Sequence, residues 1–555
     1  MRHLVYIFIL LGLFGCATQP TPDTKSSQSS YYGTLEPFAS DSVYFLMTDR
    51  FVNGDKSNDY PEQGGENSTY MVPLVAEDGR KAYIGYMGGD FKGVLENADY
   101  IKDMGFSSIW LTPIVEQPDE AFTGGTPISF GGRFQDGGKT GYHGYWGVNF
   151  YKLDEHLPSE DLDYQQLVAG LEEKGIKTVL DVVLNHGSPA YTMPIKQDLF
   201  GQIYDKQGNL IADHGNLAPD QLDHNNPLHQ MYNRKKDFGE LSDLNSDNPA
   251  VLDYFVGAYN QWLDQGAHVI RIDTIKHMPI DFWKRFADRM RAERPDLFMF
   301  AEAFIYEAEK LGKYTQEENG RISVLDFPMH KALLALFENS EGDYRSLIKP
   351  LYLENGPYSN PYNLMTFYDN HDMARIKTDE RGFINLHNWL FTSRGIPVLY
   401  YGSEMGFMTG AFEHEGSRNY YGSKNIELAK QSNIYTHLKT INFIRKANVA
   451  LQKGLQINLS FDQNLASFLR VYEHDGLNQT ALVLLNKGNT TETFQVADLL
   501  SKGLWSEAVE GSKRFINKSG EHSFLVAPNS VQVWLFNDAN NHQGLIAKLQ
   551  QLMDK

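Results

Sequence analysis

Four apolar stretches of the chain end in side chains able to do acid–base or nucleophilic chemistry. Residues 269–273 read Val-Ile-Arg-Ile-Asp, with Lys276 and His277 just beyond, and residues 300–302 read Phe-Ala-Glu. Residues 367–372 read Phe-Tyr-Asp-Asn-His-Asp, and residues 181–186 read Asp-Val-Val-Leu-Asn-His. One carboxyl that attacks or takes a proton, beside another that gives one, is the minimum equipment for such catalysis. A carboxylate after a strand serves equally as a helix cap or an ion-pair partner, so each stretch alone decides little. Their spacing decides more. Glu302 follows Asp273 by 29 residues and Asp372 follows Glu302 by 70, about one and two strand–helix units. Parallel strands side by side would bring all three carboxyls to one rim, where barrel chemistry collects.

The elements that must hold these residues alternate from about residue 41 to 447. Strand candidates lie at 43–51, 108–115, 176–184, 268–274, 297–304, 323–327, 364–368 and 396–401. Several are continuous apolar runs of the kind a parallel sheet buries on both faces. Amphipathic helix candidates lie between them at 91–104, 164–174, 250–265, 281–293, 331–338, 383–393 and 434–446, several closed by a glycine. Eight strands alternating with seven helices predict an α/β fold, a (β/α)8 TIM barrel rather than an open doubly wound sheet. The segment 187–245 is too long for a structureless loop and reads as a domain inserted after strand 3. Short alternating strands after residue 450, at 465–472, 480–486, 491–494, 524–526 and 531–536, predict a C-terminal antiparallel β-sandwich. The layout is then a leader at 1–16, a tether at 17–35, a barrel at 36–186 and 246–447, the insert at 187–245, the sandwich at 448–540 and a terminal helix at 541–555.

As they stand, DVVLNH (181–186), VIRIDTIKH (269–277), FAEAF (300–304) and FYDNHD (367–372) resemble the four signature regions of the α-amylase family, family 13 of the glycoside hydrolases. GYHGYW (141–146) and GIPVLYYGSE (395–404) agree with the same family, and the resemblance runs over about residues 40–540. It implies a retaining hydrolase that cleaves α-1,4-glucosidic bonds of starch and maltodextrins, with cyclodextrins as further candidate substrates. A retaining pair of carboxyls stands about 5 Å apart, which adjacent strand ends allow. By the resemblance Asp273 is the nucleophile, kept ionised by Arg271 two residues earlier. Glu302 is the general acid/base and needs a raised pKa. Asp372 is the third carboxylate, which binds sugar hydroxyls and distorts the ring, with His186 and His371 hydrogen-bonding around it. Tyr145 is the aromatic platform under that ring, with His143 and Trp146 beside it. Lys276 and His277 contact the leaving side, Phe304 is an acceptor-side aromatic, and Arg418 is a further sugar contact.

Residues 49–59 pack oxygen ligands at a spacing that suits a hard cation, or simply a polar turn. With residues 88–90 they resemble a calcium loop of the cyclodextrin glucanotransferase branch. The positions implied are Asn53, Asp55, Asn58, Asp59, Gly88 through its carbonyl, and Asp90. A second family Ca2+ site would use Asn185, Asp243 and the carbonyl of His277, tying the insert to the barrel.

GQIYDKQGNL (201–210) and YYGSEMGFMTG (400–410) also lean toward that branch. Cyclising enzymes, however, place a bulky aromatic four residues before the second-site aspartate, where this chain has Gly239. They also carry further domains after the first sandwich. Both differences favour hydrolysis, with a cyclodextrin glucanotransferase or other transglycosylase as the alternative. A barrel enzyme for other α-glucosides fits the calcium pattern less well. A surface lipoprotein that only captures starch is the alternative of another class, and the intact Asp273, Glu302 and Asp372 speak against it.

Composition sets the remaining bounds. Aromatics make up 13% of the chain, and 70 acidic residues against 50 basic ones give a net charge of −20. The aromatic content marks a chain that buries a core rather than a disordered one. The acidity argues against a nucleic-acid partner. One cysteine excludes an intrachain disulfide. It is Cys16, closing an apolar run at 4–14 that is too short to span a bilayer, and Leu-Phe-Gly-Cys resembles a bacterial lipobox. The expectation is an exported monomer held to a membrane only by acyl chains on Cys16. Ala17 rather than Asp after the cysteine favours the outer membrane.

Overall fold

The computed structural model describes residues 30–339 and 341–554. The predicted leader and Cys16 lie outside them. Eight parallel strands form the catalytic body: β1 (Val43–Leu46), β2 (Ser108–Leu111), β3 (Lys177–Val182), β4 (Val269–Ile272), β5 (Phe298–Ala301), β6 (Ser323–Val324), β7 (Met365–Thr366) and β8 (Ile396–Tyr400). Their order around the sheet is β6-β5-β4-β3-β2-β1-β8-β7. A single parallel bridge from Leu325 to Met365, with the Asp326 amide donating to the Met365 carbonyl at 2.9 Å, closes the ring. Nearly every strand residue is buried, as a packed barrel interior with helices outside requires.

The strands are shorter than the apolar runs that announce them. The first run ends early because Thr48–Phe51 turns into one helical turn. The run at 323–327 stops because Asp326 accepts from the Met329 amide at 3.1 Å and caps a helix, Phe327–Phe337, with proline in its first turn. The helix expected over 91–104 is two, Phe91–Glu96 and Ala98–Asp103, broken at Asn97.

Between β3 and the following helix the chain makes two small antiparallel sheets. Gln202–Tyr204 pairs with Leu210–Asp213, and His186–Pro189 pairs with Leu241–Asp243. The second sheet returns the insert to the end of β3.

The C-terminal part has a six-stranded antiparallel sheet and a two-stranded one. Its strands are β9 (Leu455–Phe461), β10 (Leu465–His474), β11 (Leu477–Asn486), β12 (Glu492–Val496), β13 (Gly503–Glu507), β14 (Lys513–Ile516), β15 (His522–Val526) and β16 (Ser530–Phe536). The larger sheet runs β9-β10-β11-β16-β13-β14, and β12 pairs with β15. The terminal helix Gln543–Met553 seats Leu545 and Leu549 in this core. Residues 30–35, expected within the tether, are packed instead. Tyr31 pairs with Glu473 of β10, its ring lies in the sandwich core, and the amides of Gly33 and Thr34 donate to the Lys453 carbonyl. Among the described residues no helix is long and apolar enough to cross a membrane.

Asp326 also ties barrel to sandwich. Its Oδ2 meets Arg394 Nη1 at 2.6 Å with both side chains wholly buried, and the Arg394 amide donates to Gln456 of β9 at 2.9 Å. Replacing Asp326 by alanine strands a buried guanidinium, which costs about 3–5 kcal/mol. The exposed pair Lys284–Asp288 contributes about 0–1 kcal/mol. Urea denaturation is expected to show a large midpoint shift for Asp326→Ala and almost none for Asp288→Ala.

Candidate active site

The site is built around Arg271. The register of β3 with β4 sets Arg271 beside Asp181. The guanidinium is 0% exposed, and its Nη1 meets Asp181 Oδ1 at 2.8 Å and Asp273 Oδ1 at 3.0 Å. Trp110 Nε1 and Tyr145 Oη both donate to Asp181 Oδ2 at 2.8 Å. Burial pushes the Asp181 carboxyl up to about 6 against the pull of Arg271. Charge removed from water must be paired to be tolerated, and this cluster does the pairing.

Glu302 stands next along the rim. β4 and β5 pair Ile272 with Ala301, so the residues that follow, Asp273 and Glu302, emerge on adjacent strand ends. Glu302 Oε2 accepts from the Thr274 amide at 3.3 Å. Thr274 holds φ at 48°, a left-handed conformation that β-branched residues rarely adopt. Burial and the Asp273 carboxylate push Glu302 up to about 8. The shift favours the protonated form that a general acid needs.

Asp372 lies at the more open edge. Arg418 Nη2 meets its Oδ1 at 2.8 Å and His371 Nε2 meets its Oδ2 at 3.2 Å. The His371 ring stacks on Tyr145 at 5.2 Å between centroids and 11° between planes. Burial drives His371 and His143 well below the usual imidazole range and lowers His186 to about 4. All three are held in the neutral form, and because His143 Nδ1 already accepts from the Tyr145 amide at 3.0 Å, its Nε2 is left to donate.

Beyond β4 and β5, Lys276 Nζ sits 5.6 Å from the centre of the Phe304 ring, which is 39% exposed and packs on Phe327. His277 Nδ1 pairs with Asp237 at 2.9 Å.

Two expected sugar contacts are placed otherwise. Trp146 packs in a small apolar cluster with Phe122, Met193, Phe200 and Leu241, edge-on beneath His143 at 4.9 Å. Arg418 spends its guanidinium on Asp372, on Glu413 at 2.7 Å and on the His371 carbonyl at 2.8 Å. It is a positioning residue for Asp372.

Sequence reasoning also missed Asp181 as the second arm of the Arg271 cluster, and Phe238. Phe238 precedes Gly239, which adopts φ 60°. The amides of Asp237 and Phe238 donate to Asp243 Oδ2, and the Leu241 amide donates to the Phe238 carbonyl. This tight loop leaves the Phe238 ring 41% exposed, stacked over His186 at 5.8 Å and edge-on to His277 at 5.0 Å. An aromatic thus stands between the two histidines although Gly239 occupies the position read from the sequence.

The first calcium candidate brings most of its residues together. Asn53 Nδ2 donates to Asp59 Oδ1 at 2.7 Å, and a Cβ on Gly88 would fall within 2.4 Å of both side chains. Asp90 accepts from the amides of Gly54, Asp55 and Gly93. The side-chain oxygens of Asn53 and Asn58 are buried with no hydrogen-bond partner, the state of an oxygen donor facing a hard cation. The Asp55 carboxylate, by contrast, is taken by the amide and hydroxyl of Ser57. In the second candidate Asn185 and Asp243 are both buried and Asp243 Oδ1 has no partner. Its segment is stitched to Asn185 by the Leu244 amide at 2.8 Å. Both donor sets are oxygen-rich and fit Ca2+.

A barrel whose strand ends carry a neutral acid beside an arginine-paired carboxylate defines a glycosidase of the two-carboxylate class. The sequence model for the alpha amylase catalytic domain matches residues 45–433. The chain belongs to the α-amylase family. It is 30% identical over 510 residues to a beta/alpha-amylase of Paenibacillus polymyxa, covering 89% of this chain and 37% of that protein. It is 29% identical over 516 residues to a cyclomaltodextrin glucanotransferase of Bacillus licheniformis, covering 90% of this chain and 67% of that one. The chain thus spans about a third of the first relative's length and two thirds of the second's. Among solved structures, CldA, described as a cyclomaltodextrin glucanotransferase with a three-domain ABC distribution, superposes with a TM-score of 0.73 at 27% identity, covering 90% of this chain and 99% of that one. An Anoxybacillus α-amylase gives 0.68 at 25% identity, covering 91% and 99%. CldA combines that name with a three-domain layout, so the expectation drawn from domain count does not separate hydrolases from cyclising enzymes.

The raised Glu302 pKa has a stability consequence. Between its ordinary value, near 4.5, and about 8, the folded chain holds a proton that the unfolded chain has lost. Stability therefore falls as pH rises through that window. Glu302→Gln removes this loss. Its melting temperature relative to wild type is expected to rise from pH 5 to pH 8, and a constant difference contradicts the assignment.

Proposed function

We propose that the protein is a retaining α-1,4-glucan hydrolase that cleaves starch and maltodextrins by double displacement. The observation that carries this reading is the pairing at the ends of β4 and β5: Asp273 fixed by Arg271, and Glu302 beside it in its protonated form. In the first step Asp273 attacks the anomeric carbon while Glu302 gives its proton to the glycosidic oxygen, and the leaving chain departs as an alcohol. In the second step ionised Glu302 takes a proton from water, which displaces Asp273 and restores both groups. Asp372, held by Arg418 and His371, accepts hydrogen bonds from ring hydroxyls, and Tyr145 lies under the reacting sugar with His186 beside it.

Phe238 supports a second reading, α-glucan transglycosylation. A part-exposed aromatic between His186 and His277 offers an incoming sugar a surface that competes with water for the acceptor position. Incubation of the protein with soluble starch and calcium, with products separated over time, decides between the two. Linear maltooligosaccharides are expected. Cyclic products would make transfer the main activity, and starch binding without turnover would move the protein to the capture class.

Calcium belongs to the proposal in a structural role. Asn53, Asn58, Asp59, Asp90 and the Gly88 carbonyl would hold one ion, and Asn185, Asp243 and the His277 carbonyl a second. The bound ion supplies oxygen-ligand cross-links between segments and no redox chemistry. Ligand linkage then stabilises the folded state. Chelation is expected to lower the melting temperature and calcium to restore it. Asp243→Asn should show a smaller chelator effect, and an unchanged melting temperature on chelation of wild type would remove both sites. Cys16 carries the further proposal of a lipid-anchored location. Cys16→Ala should then appear in the soluble fraction instead of the membrane.

A further inference from the structure

The sequence contains three Asn-Gly pairs, at 53–54, 319–320 and 355–356. Asparagine is a thermolabile residue, and a following glycine makes it more so. The glycine amide nitrogen can reach the asparagine Cγ because no Cβ stands in the way. A bond forms between them, the bond from Cγ to Nδ2 breaks, and the glycine amide proton leaves with that nitrogen as ammonia. Water then opens the resulting succinimide at either carbonyl. The product is aspartate or isoaspartate, in which the main chain runs through the side-chain carbon. One water is consumed and one ammonia released, with no change of oxidation state.

By sequence the three pairs are equivalent, and the fold separates them. In the first, the Gly54 amide donates to Asp90 Oδ1 at 3.1 Å and Asn53 Nδ2 donates to Asp59 Oδ1 at 2.7 Å. In the second, the Gly320 amide donates to the Glu317 carbonyl at 3.2 Å and Asn319 Nδ2 donates to the Lys313 carbonyl at 2.8 Å. In both, the attacking nitrogen and the group it must displace are held apart by other acceptors. The third pair is free. Asn355 is exposed with φ 52°, and among the described residues neither its side chain nor the Gly356 amide has a hydrogen-bond partner.

The loop that carries Asn355 is pinned at both ends. The Pro350 and Leu351 carbonyls accept from Arg394 at 2.7 and 3.0 Å, and the Pro357 carbonyl accepts from Gln316 Nε2 at 2.8 Å. Arg394 is the guanidinium that ties barrel to sandwich through Asp326. An isoaspartyl link adds a carbon to the main chain between these fixed ends.

We propose that Asn355 is the site at which the folded protein deamidates, the other two pairs being protected by their hydrogen bonds, and that the isoaspartyl product loosens the loop that caps Arg394. Wild type would be aged at mildly alkaline pH, folded in one sample and unfolded in urea in another, and its digested peptides weighed over time. The mass gain of amide-to-acid conversion is expected at all three pairs in the unfolded chain. In the folded protein it is expected at Asn355 ahead of both others. Asn355→Gly suits the left-handed conformation and has no amide to lose. It should hold its melting temperature through the same ageing while wild type loses several degrees. Conversion at Asn53 or Asn319 as early as at Asn355 in the folded protein overturns the assignment, as does protection of all three. A mass gain at Asn355 with no loss of melting temperature relative to Asn355→Gly overturns the effect on the loop.

Discussion

A guanidinium taken wholly out of water at the mouth of a barrel must find negative charge within hydrogen-bond reach, and most of the site follows from how Arg271 finds it. Asp181 on the neighbouring strand supplies one carboxylate and Asp273 the other. Asp181 is in turn held by Trp110 and Tyr145, so it cannot swing away. Asp273 is then fixed by a partner that is itself fixed. The same tyrosine that anchors Asp181 lies flat against His371. Tyr145, Asp273 and His371 are thus one connected unit rather than three independent placements. Electrostatic preorganisation of this kind is where enzymes gain most of their advantage over water.

A second network, at the open edge, holds Asp372 through Arg418, Glu413 and Lys139. It reaches into two segments distant in sequence, 136–139 and 413–418. Two part-exposed aromatics, Phe238 beside His186 and His277 and Phe304 beside Lys276, stand near the same rim. The relatives divide between amylases and glucanotransferases.

The barrel was legible because parallel strands are buried on both faces and read as apolar runs, and the catalytic carboxyls because each follows such a run. Strand ends were less so. Asp326 and Pro328 start a helix inside a run that looks like strand, and the capping signal is visible only if weighed above hydrophobicity. β9, β13 and β14 were missed. In β13 and β14 the cross-strand pair Leu504 and Phe515 faces outward and spoils the alternation. Phe238 escaped because a fixed count back from Asp243 lands on Gly239. The backbone turns there, and a loop of different geometry delivers an aromatic one residue earlier. Tertiary pairing explains the rest. Nothing in the spacing of Asp181 and Arg271 says they meet, since their contact depends on the register of β3 with β4. The Lys139–Glu413–Arg418 chain likewise joins residues hundreds of positions apart.

The central claim is that Asp273, locked by Arg271, becomes covalently bonded to the sugar while Glu302 serves as acid and base. It is tested most directly by trapping. Glu302→Gln would be incubated with a fluorinated α-glucosyl fluoride, whose leaving group departs without acid help and whose ester hydrolyses slowly. Mass spectrometry of the digested protein then locates the label. The account predicts one glucosyl adduct, on the peptide carrying Asp273 and absent from Asp273→Asn. A label on another carboxylate, or release of product with inverted configuration and no adduct, would contradict it.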